Sequence, residues 1–122
     1  MADDVAFWYL ASPYSRYVGG LETAFQEIAR NAALLIRAGV RLYCPIAHTH
    51  PIAMQGGIDP LDHGIWLPAD RPFMFAACGL IVCMMEGWEL SYGISVEMDE
   101  FARAGKPLVY MRPGQVPVEF IR

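Results

Sequence analysis

Glu97 is the residue whose sequence surroundings point most directly to chemistry. Between Tyr92 and Ala104, Ile94, Met98 and Phe101 recur at helical spacing. Glu97 falls three after Ile94 and four before Phe101, which puts its carboxylate inside the apolar stripe. Asp99, Glu100 and Arg103 fall on other faces. A carboxylate aimed at a sheet is costly unless it is paired or used. Glu97 therefore either does nucleophilic or acid–base work or lies at the edge of the stripe and reaches water. Ser91 and Gly93 open the same helix. Serine is a common N-cap, and the same geometry offers free N–H groups to an anion that a glycine lets approach. Tyr9, near the end of an apolar run, is either a core aromatic or, with its hydroxyl buried, a partner for Glu97. Asp70 precedes Arg71-Pro72 and an apolar helix, where a helix N-cap is expected. Asp59, Asp62 and Glu86 compete with it as a second carboxylate. His48 and His50 would share one face of an extended segment and could ligate a metal there. No Cys, Asp or Glu stands at ligand spacing near them, so they are read as polar contacts to a ligand, with no metal or other cofactor expected.

These side chains need elements to position them. Val5 to Ala11 is a short apolar run closed by Ser12-Pro13, a buried strand. Leu21 to Ala38 is helical, with Phe25, Ile28, Ala32, Leu35 and Ile36 on one face and Gly39 as its stop. Val40 to Cys44 and Gly79 to Met84 are further strands, the latter apolar on both faces as in the middle of a parallel sheet. Tyr92 to Ala104 is helical, Pro107 to Met111 is a strand, and Val118 to Ile121 is a candidate fifth. Phe73 to Ala77 is a short apolar helix, and Met84, Met85 and Met98 fill the core. The stretch from Pro45 to Pro68 has little regular patterning and holds all three histidines and Trp66. It is expected to be a binding loop or lid. The alternation of strand and helix predicts an α/β three-layer sandwich around a parallel sheet of four to five strands. Ligands in such sheets sit beyond the carboxyl ends of the strands. Four segments are then singled out: Ser12 to Tyr17, Pro45 onward, Glu86 to Ser91, and Arg112 to Gly114.

Composition narrows the classes. The chain has 122 residues, read as one domain (1–122), with 9 Lys and Arg against 13 Asp and Glu and a net charge of −4. Hydrophobic residues make up 55% and charged ones 18%, which excludes a disordered chain. That apolar excess suggests surface covered by a partner, so a homodimer or homotetramer is expected. The longest apolar run, Phe75 to Met85, is eleven residues, against about 20 needed to cross a bilayer. The start carries Asp3 and Asp4 rather than the basic residues of a signal peptide. Cys44, Cys78 and Cys83 form no CxxC pair, which fits a reducing cytoplasm. Acidic balance without basic clusters argues against nucleic-acid polymers and leaves room for a small nucleotide.

Three segments in this order carry a resemblance. They are Tyr9-Leu-Ala-Ser-Pro-Tyr14, Pro45-Ile-Ala-His48-Thr-His50-Pro51, and Gly87-Trp88-x-x-Ser91-x-Gly93-x-x-x-Glu97. Over nearly its whole length the chain resembles the nucleoside 2-deoxyribosyltransferase-like superfamily, in particular a small bacterial and phage branch. The resemblance implies a flavodoxin-like (Rossmann-like) fold of five strands. It implies that Glu97 is the nucleophile that attacks C1′ of a ribose or deoxyribose, that Tyr9 holds it, and that Asp70 bonds the base and assists its departure. Transferases of the superfamily carry Asp where this chain has Ser91. The 5′-monophosphate N-glycosidases carry Ser there, in contact with phosphate. A hydroxyl at a helix start suits a phosphate that a carboxylate would repel.

The resemblance thus implies an enzyme that hydrolyses the base–sugar bond of a nucleoside 5′-monophosphate through a glutamyl–glycosyl intermediate. Base exchange between nucleosides, or nucleotide binding without turnover, are the alternatives. Arg16 stands in place of a glycine- and arginine-rich phosphate loop. Ser12, Tyr14, His48, His50, Trp66 and Trp88 join Ser91 and Gly93 as expected substrate contacts, with Trp66 or Tyr14 stacking on the base. The mechanism requires the Glu97 pKa to be held down by Tyr9 and the helix start, and that of Asp70 to be raised.

Overall fold

The computed structural model describes residues 6–121. It is an α/β fold with a four-stranded parallel sheet in the order β2-β1-β3-β4, flanked by helices. The elements are β1 (Trp8–Ala11), α1 (Leu21–Arg37), β2 (Leu42–Tyr43), α2 (Pro45–Gly56), α3 (His63–Ala76), β3 (Gly79–Cys83), α4 (Tyr92–Arg103) and β4 (Leu108–Met111). Val5, where the expected first strand begins, lies outside the described residues. β3 is buried along its whole length, as its two-faced apolar sequence requires.

The pleat divides the core in two. Leu10, Ile81, Cys83, Val109 and Met111 face α1 and pack with Ile28, Ala32 and Leu35. Tyr9, Ala11, Leu80 and Val82 face the other way and meet Met74 of α3 with Ile94 and Phe101 of α4. Ile36, expected on the inner face of α1, is 57% exposed, and Asn31 is buried in its stead. The buried amide is satisfied at both ends: it donates to the Glu27 carbonyl and accepts from Gly114 N–H. α1 stops at Gly39, whose φ of +90° is strained for any residue with a Cβ.

Two expectations are corrected. Pro45 to Pro68 is not a loop: Pro45–Gly56 is α2, and α3 begins at His63. Pro51, Pro68 and Pro72 all lie inside helices, where each removes a backbone donor, and this hides the helices from a propensity reading. Tertiary anchors hold them in place. Asp62 caps α3 by accepting from Gly64 N–H at 3.0 Å, and Lys106 donates to the carbonyls of Met74 and Phe75 at the other end. The second correction concerns Val118 to Ile121. Val118–Phe120 is a 310 turn, not a fifth strand, because its N–H groups are spent locally on Pro117 and Val118 carbonyls. Phe120 packs edge-on against Trp8 instead, with ring centroids 5.1 Å apart.

At Gly79 the backbone of β3 lies close against the Trp8 ring and the Pro107 carbonyl. A Cβ there would sit 2.4 Å from Trp8 Cζ3 and 2.9 Å from the Pro107 carbonyl oxygen. Gly79→Ala should therefore cost about 1–3 kcal/mol and lower Tm by roughly 5 °C or more, measured by thermal unfolding.

Candidate functional site

Strand order decides where a site can form. The chain leaves β1 for β2 on one side and returns to β3 on the other, so a crevice opens at the carboxyl ends where the direction switches. A cleft of about 80 Å³ lies there. Ser12 and Tyr14 enter it from beyond β1, Pro45 and Thr49 from α2, Trp66 and Asp70 from α3, and Ser91, Gly93 and Glu97 from the start of α4. A wider depression of about 470 Å³ shares Tyr14, Ser15, Leu61, His63 and Ser91 with it and adds Arg16 and Glu86. Arg112 to Gly114 does not reach the cleft. Gly114 instead lines a separate depression beside Asn31, because β4 is an edge strand two places from the switch.

Glu97 stands on the second turn of α4, buried at 9% exposure, with its carboxyl on the cleft. Burial pushes its pKa up to about 8; Tyr9 lowers it and the Asp70 carboxylate raises it further. This reverses the depressed value that the mechanism was expected to require. The helix dipole fades within the first turn, and one phenol does not offset the loss of water. Tyr9 is fully buried between Tyr43 and Phe101, with ring centroids 5.7 and 5.6 Å away. Its own pKa is raised, first by burial and then by Glu97 and Asp70. The two groups couple, yet the Tyr9 hydroxyl and Ser12 Oγ complete no hydrogen bond of ordinary geometry among the described residues. Both buried hydroxyls belong to the segment that leads into the cleft.

Asp70 is not the N-cap of a helix; Asp62 is. Asp70 lies within α3, and its Oδ1 accepts from the Tyr43 hydroxyl at 3.3 Å. Burial raises its pKa to about 6, against lowering by Tyr43 and His48. Tyr43 is the residue that sequence reasoning missed. It pairs with Tyr9 across β1 and β2 and stacks on Phe73 at 4.0 Å and 6°. Only the strand register brings it under Asp70, and no local pattern announces that.

Ser91 caps α4, its Oγ accepting from Ile94 N–H at 3.2 Å. Its hydroxyl proton remains available to a ligand, so the cap and an anion contact do not compete. The histidines diverge. His48 and His50 lie on α2, not in an extended segment, and two residues on a helix are about 200° apart. His48 is exposed beside Tyr43 and Phe73. His50 is buried behind Tyr14 and does not line the cleft. Trp88 does not line it either; it packs beside Tyr110 with the core under α4. Among the described residues no three His, Cys, Asp or Glu side chains cluster as a metal cage would need. No helix of the described residues is long and apolar enough to cross a membrane.

Fold and site together define an α/β protein with a parallel sheet and a two-carboxyl cleft at its topological switch point. The chain belongs to the family described as a domain of unknown function (DUF1937), whose model matches residues 6–113. No curated protein matches the chain.

Proposed function

We propose that the protein is an N-glycosidase of flavodoxin-like fold that hydrolyses the base–sugar bond of a nucleoside or deoxynucleoside 5′-monophosphate. The observation that carries this reading is a buried carboxyl, Glu97, opening onto a cleft that a second carboxyl, Asp70, also lines. With pKa values near 8 and 6, the pair holds one proton around neutrality. Double displacement needs that inventory: one carboxylate to attack and one carboxylic acid to protonate the leaving base. The proton rests on Glu97 in the ligand-free cleft. Moving it to Asp70 costs about 3 kcal/mol at about 1.4 kcal/mol per pKa unit, small beside the barrier to glycosidic cleavage.

A Glu97 oxygen then attacks C1′. The C1′–N electron pair leaves with the base, which takes the proton from Asp70. In the second half, the Asp70 carboxylate takes a proton from water, which attacks C1′ and frees Glu97. The wider depression, with Ser91 and Arg16 on its wall, is assigned to the 5′-phosphate.

Gly93 supports a ligand at this helix start. A Cβ there would meet only Ser91 Oγ at 3.9 Å, so nothing inside the protein requires glycine, which costs a helix about 1 kcal/mol relative to alanine. Gly93→Ala should leave Tm unchanged or raise it slightly while raising the substrate KM several-fold. A large loss of Tm would show that the glycine serves packing instead.

The test is chromatographic detection of free base after incubation with the common nucleosides and their 5′-monophosphates. Base release from a monophosphate is expected; no release from any of them overturns the reading. A new nucleotide formed on adding a second free base assigns transfer in place of hydrolysis.

A further inference from the structure

His50 is 3% exposed and stacks on Phe25 of α1, with ring centroids 4.6 Å apart. Both of its nitrogens are engaged. Nδ1 lies 2.5 Å from the Tyr14 hydroxyl, and Nε2 lies 3.0 Å from Glu22 Oε1. Tyr14 lines the cleft and the depression beside it. Glu22, on the first turn of α1, has a side chain 63% exposed and lines neither. A chain of three polar groups, buried at its middle member His50, therefore runs from outer solvent to the wall of the cleft.

The direction of its hydrogen bonds can be derived. Hydrogen bonding to His50 holds the Glu22 carboxyl below the usual carboxylate range, and its second oxygen accepts from Gln26 Nε2 at 3.1 Å. An ionised carboxylate only accepts, so His50 Nε2 must carry a proton and donate it. With that proton on Nε2, the neutral ring presents Nδ1 as a bare lone pair. The Tyr14 phenol, whose pKa is pushed up to about 12, mainly by burial, keeps its proton and donates it to Nδ1. What remains on that oxygen is acceptor capacity.

We propose that Tyr14 contacts the ligand as an obligate hydrogen-bond acceptor, its polarity set by His50 and Glu22, so that the cleft selects a substrate bearing an O–H or N–H donor at this wall. This deepens the glycosidase reading and rests on it. Tyr14 is the contacting residue. His50 and Glu22 are positioning residues.

The experiment has two arms. In the first, imidazole 15N shifts of the labelled full chain at pH 8 should show His50 protonated at Nε2 and bare at Nδ1. The opposite tautomer overturns the proposal. The second arm uses whichever of the common ribo- and deoxyribonucleoside 5′-monophosphates the wild type cleaves fastest, with analogues in which each O–H or N–H donor is replaced in turn by fluorine or hydrogen. One analogue should raise the wild-type KM about tenfold, the loss of a single hydrogen bond, and should leave the KM of Tyr14→Phe unchanged. Glu22→Gln, remote from the cleft, frees the tautomer and should blunt the same discrimination with kcat within about twofold. If every analogue is penalised equally in wild type and Tyr14→Phe, Tyr14 is only a structural clasp and the proposal fails while the glycosidase reading stands. If the wild type releases no base from any monophosphate, both fall together.

Discussion

If the protein is the N-glycosidase proposed above, Glu97→Gln should abolish base release, by at least about a thousandfold in kcat, while KM for the nucleoside 5′-monophosphate should stay within about twofold. An amide has the shape of the carboxyl but cannot form the glycosyl ester, so the covalent route closes completely rather than partly. Single-turnover chromatography measures the loss, and calorimetric titration measures the retained binding. The fold should tolerate the change, since the variant keeps the volume of Glu97 and removes a group whose ionisation in a buried setting is costly. Undiminished turnover by Glu97→Gln would remove Glu97 from the chemistry. Loss of binding together with turnover would make it a substrate ligand instead.

Both activity and stability should depend on pH through the same two carboxyls, with opposite informative limbs. The singly protonated pair exists between the two titrations, near 6 and near 8. A plot of kcat/KM against pH should therefore be bell-shaped with its limbs at those values. Stability follows from proton counting. Both folded pKa values lie above the ordinary values of 3.8 and 4.5, so across this interval the folded chain binds more protons than the unfolded one. The contribution is fully present below about pH 4. It is lost as pH rises, through Asp70 first and Glu97 later. Glu97→Gln has no proton to lose, so its Tm advantage over wild type should widen by roughly 10–15 °C between pH 5 and pH 8. Parallel Tm curves for the two proteins would show that Glu97 is not buried as a carboxyl. A rate that rises without a second limb would show that Asp70 takes no part as an acid.

Much of this was legible in the residues. Glu97 falls within an inward stripe because helical geometry fixes the angular position of each side chain, and Ile94 and Phe101 are buried on either side of it. The four strands were legible because runs such as Gly-Leu-Ile-Val-Cys leave no polar face for water. Helix α2 and the part of α3 before Phe73 were not, since three internal prolines weigh against any local reading and only contacts such as Lys106 with the end of α3 offset them. Asp70 illustrates the difference. Its position before Arg-Pro reads as a cap, while the folded chain sets it mid-helix over Tyr43.

The sequence by itself determined the α/β class, the parallel sheet and the presence of a carboxylate on an apolar helix face, because hydrophobic periodicity is a local property of the chain. Tertiary structure alone decided which groups became neighbours: Tyr43 beneath Asp70, His50 behind Tyr14, and Glu22 behind His50. It also decided the protonation order of the two carboxyls, because desolvation depends on everything packed around a group, and that environment is assembled from segments dozens of residues apart.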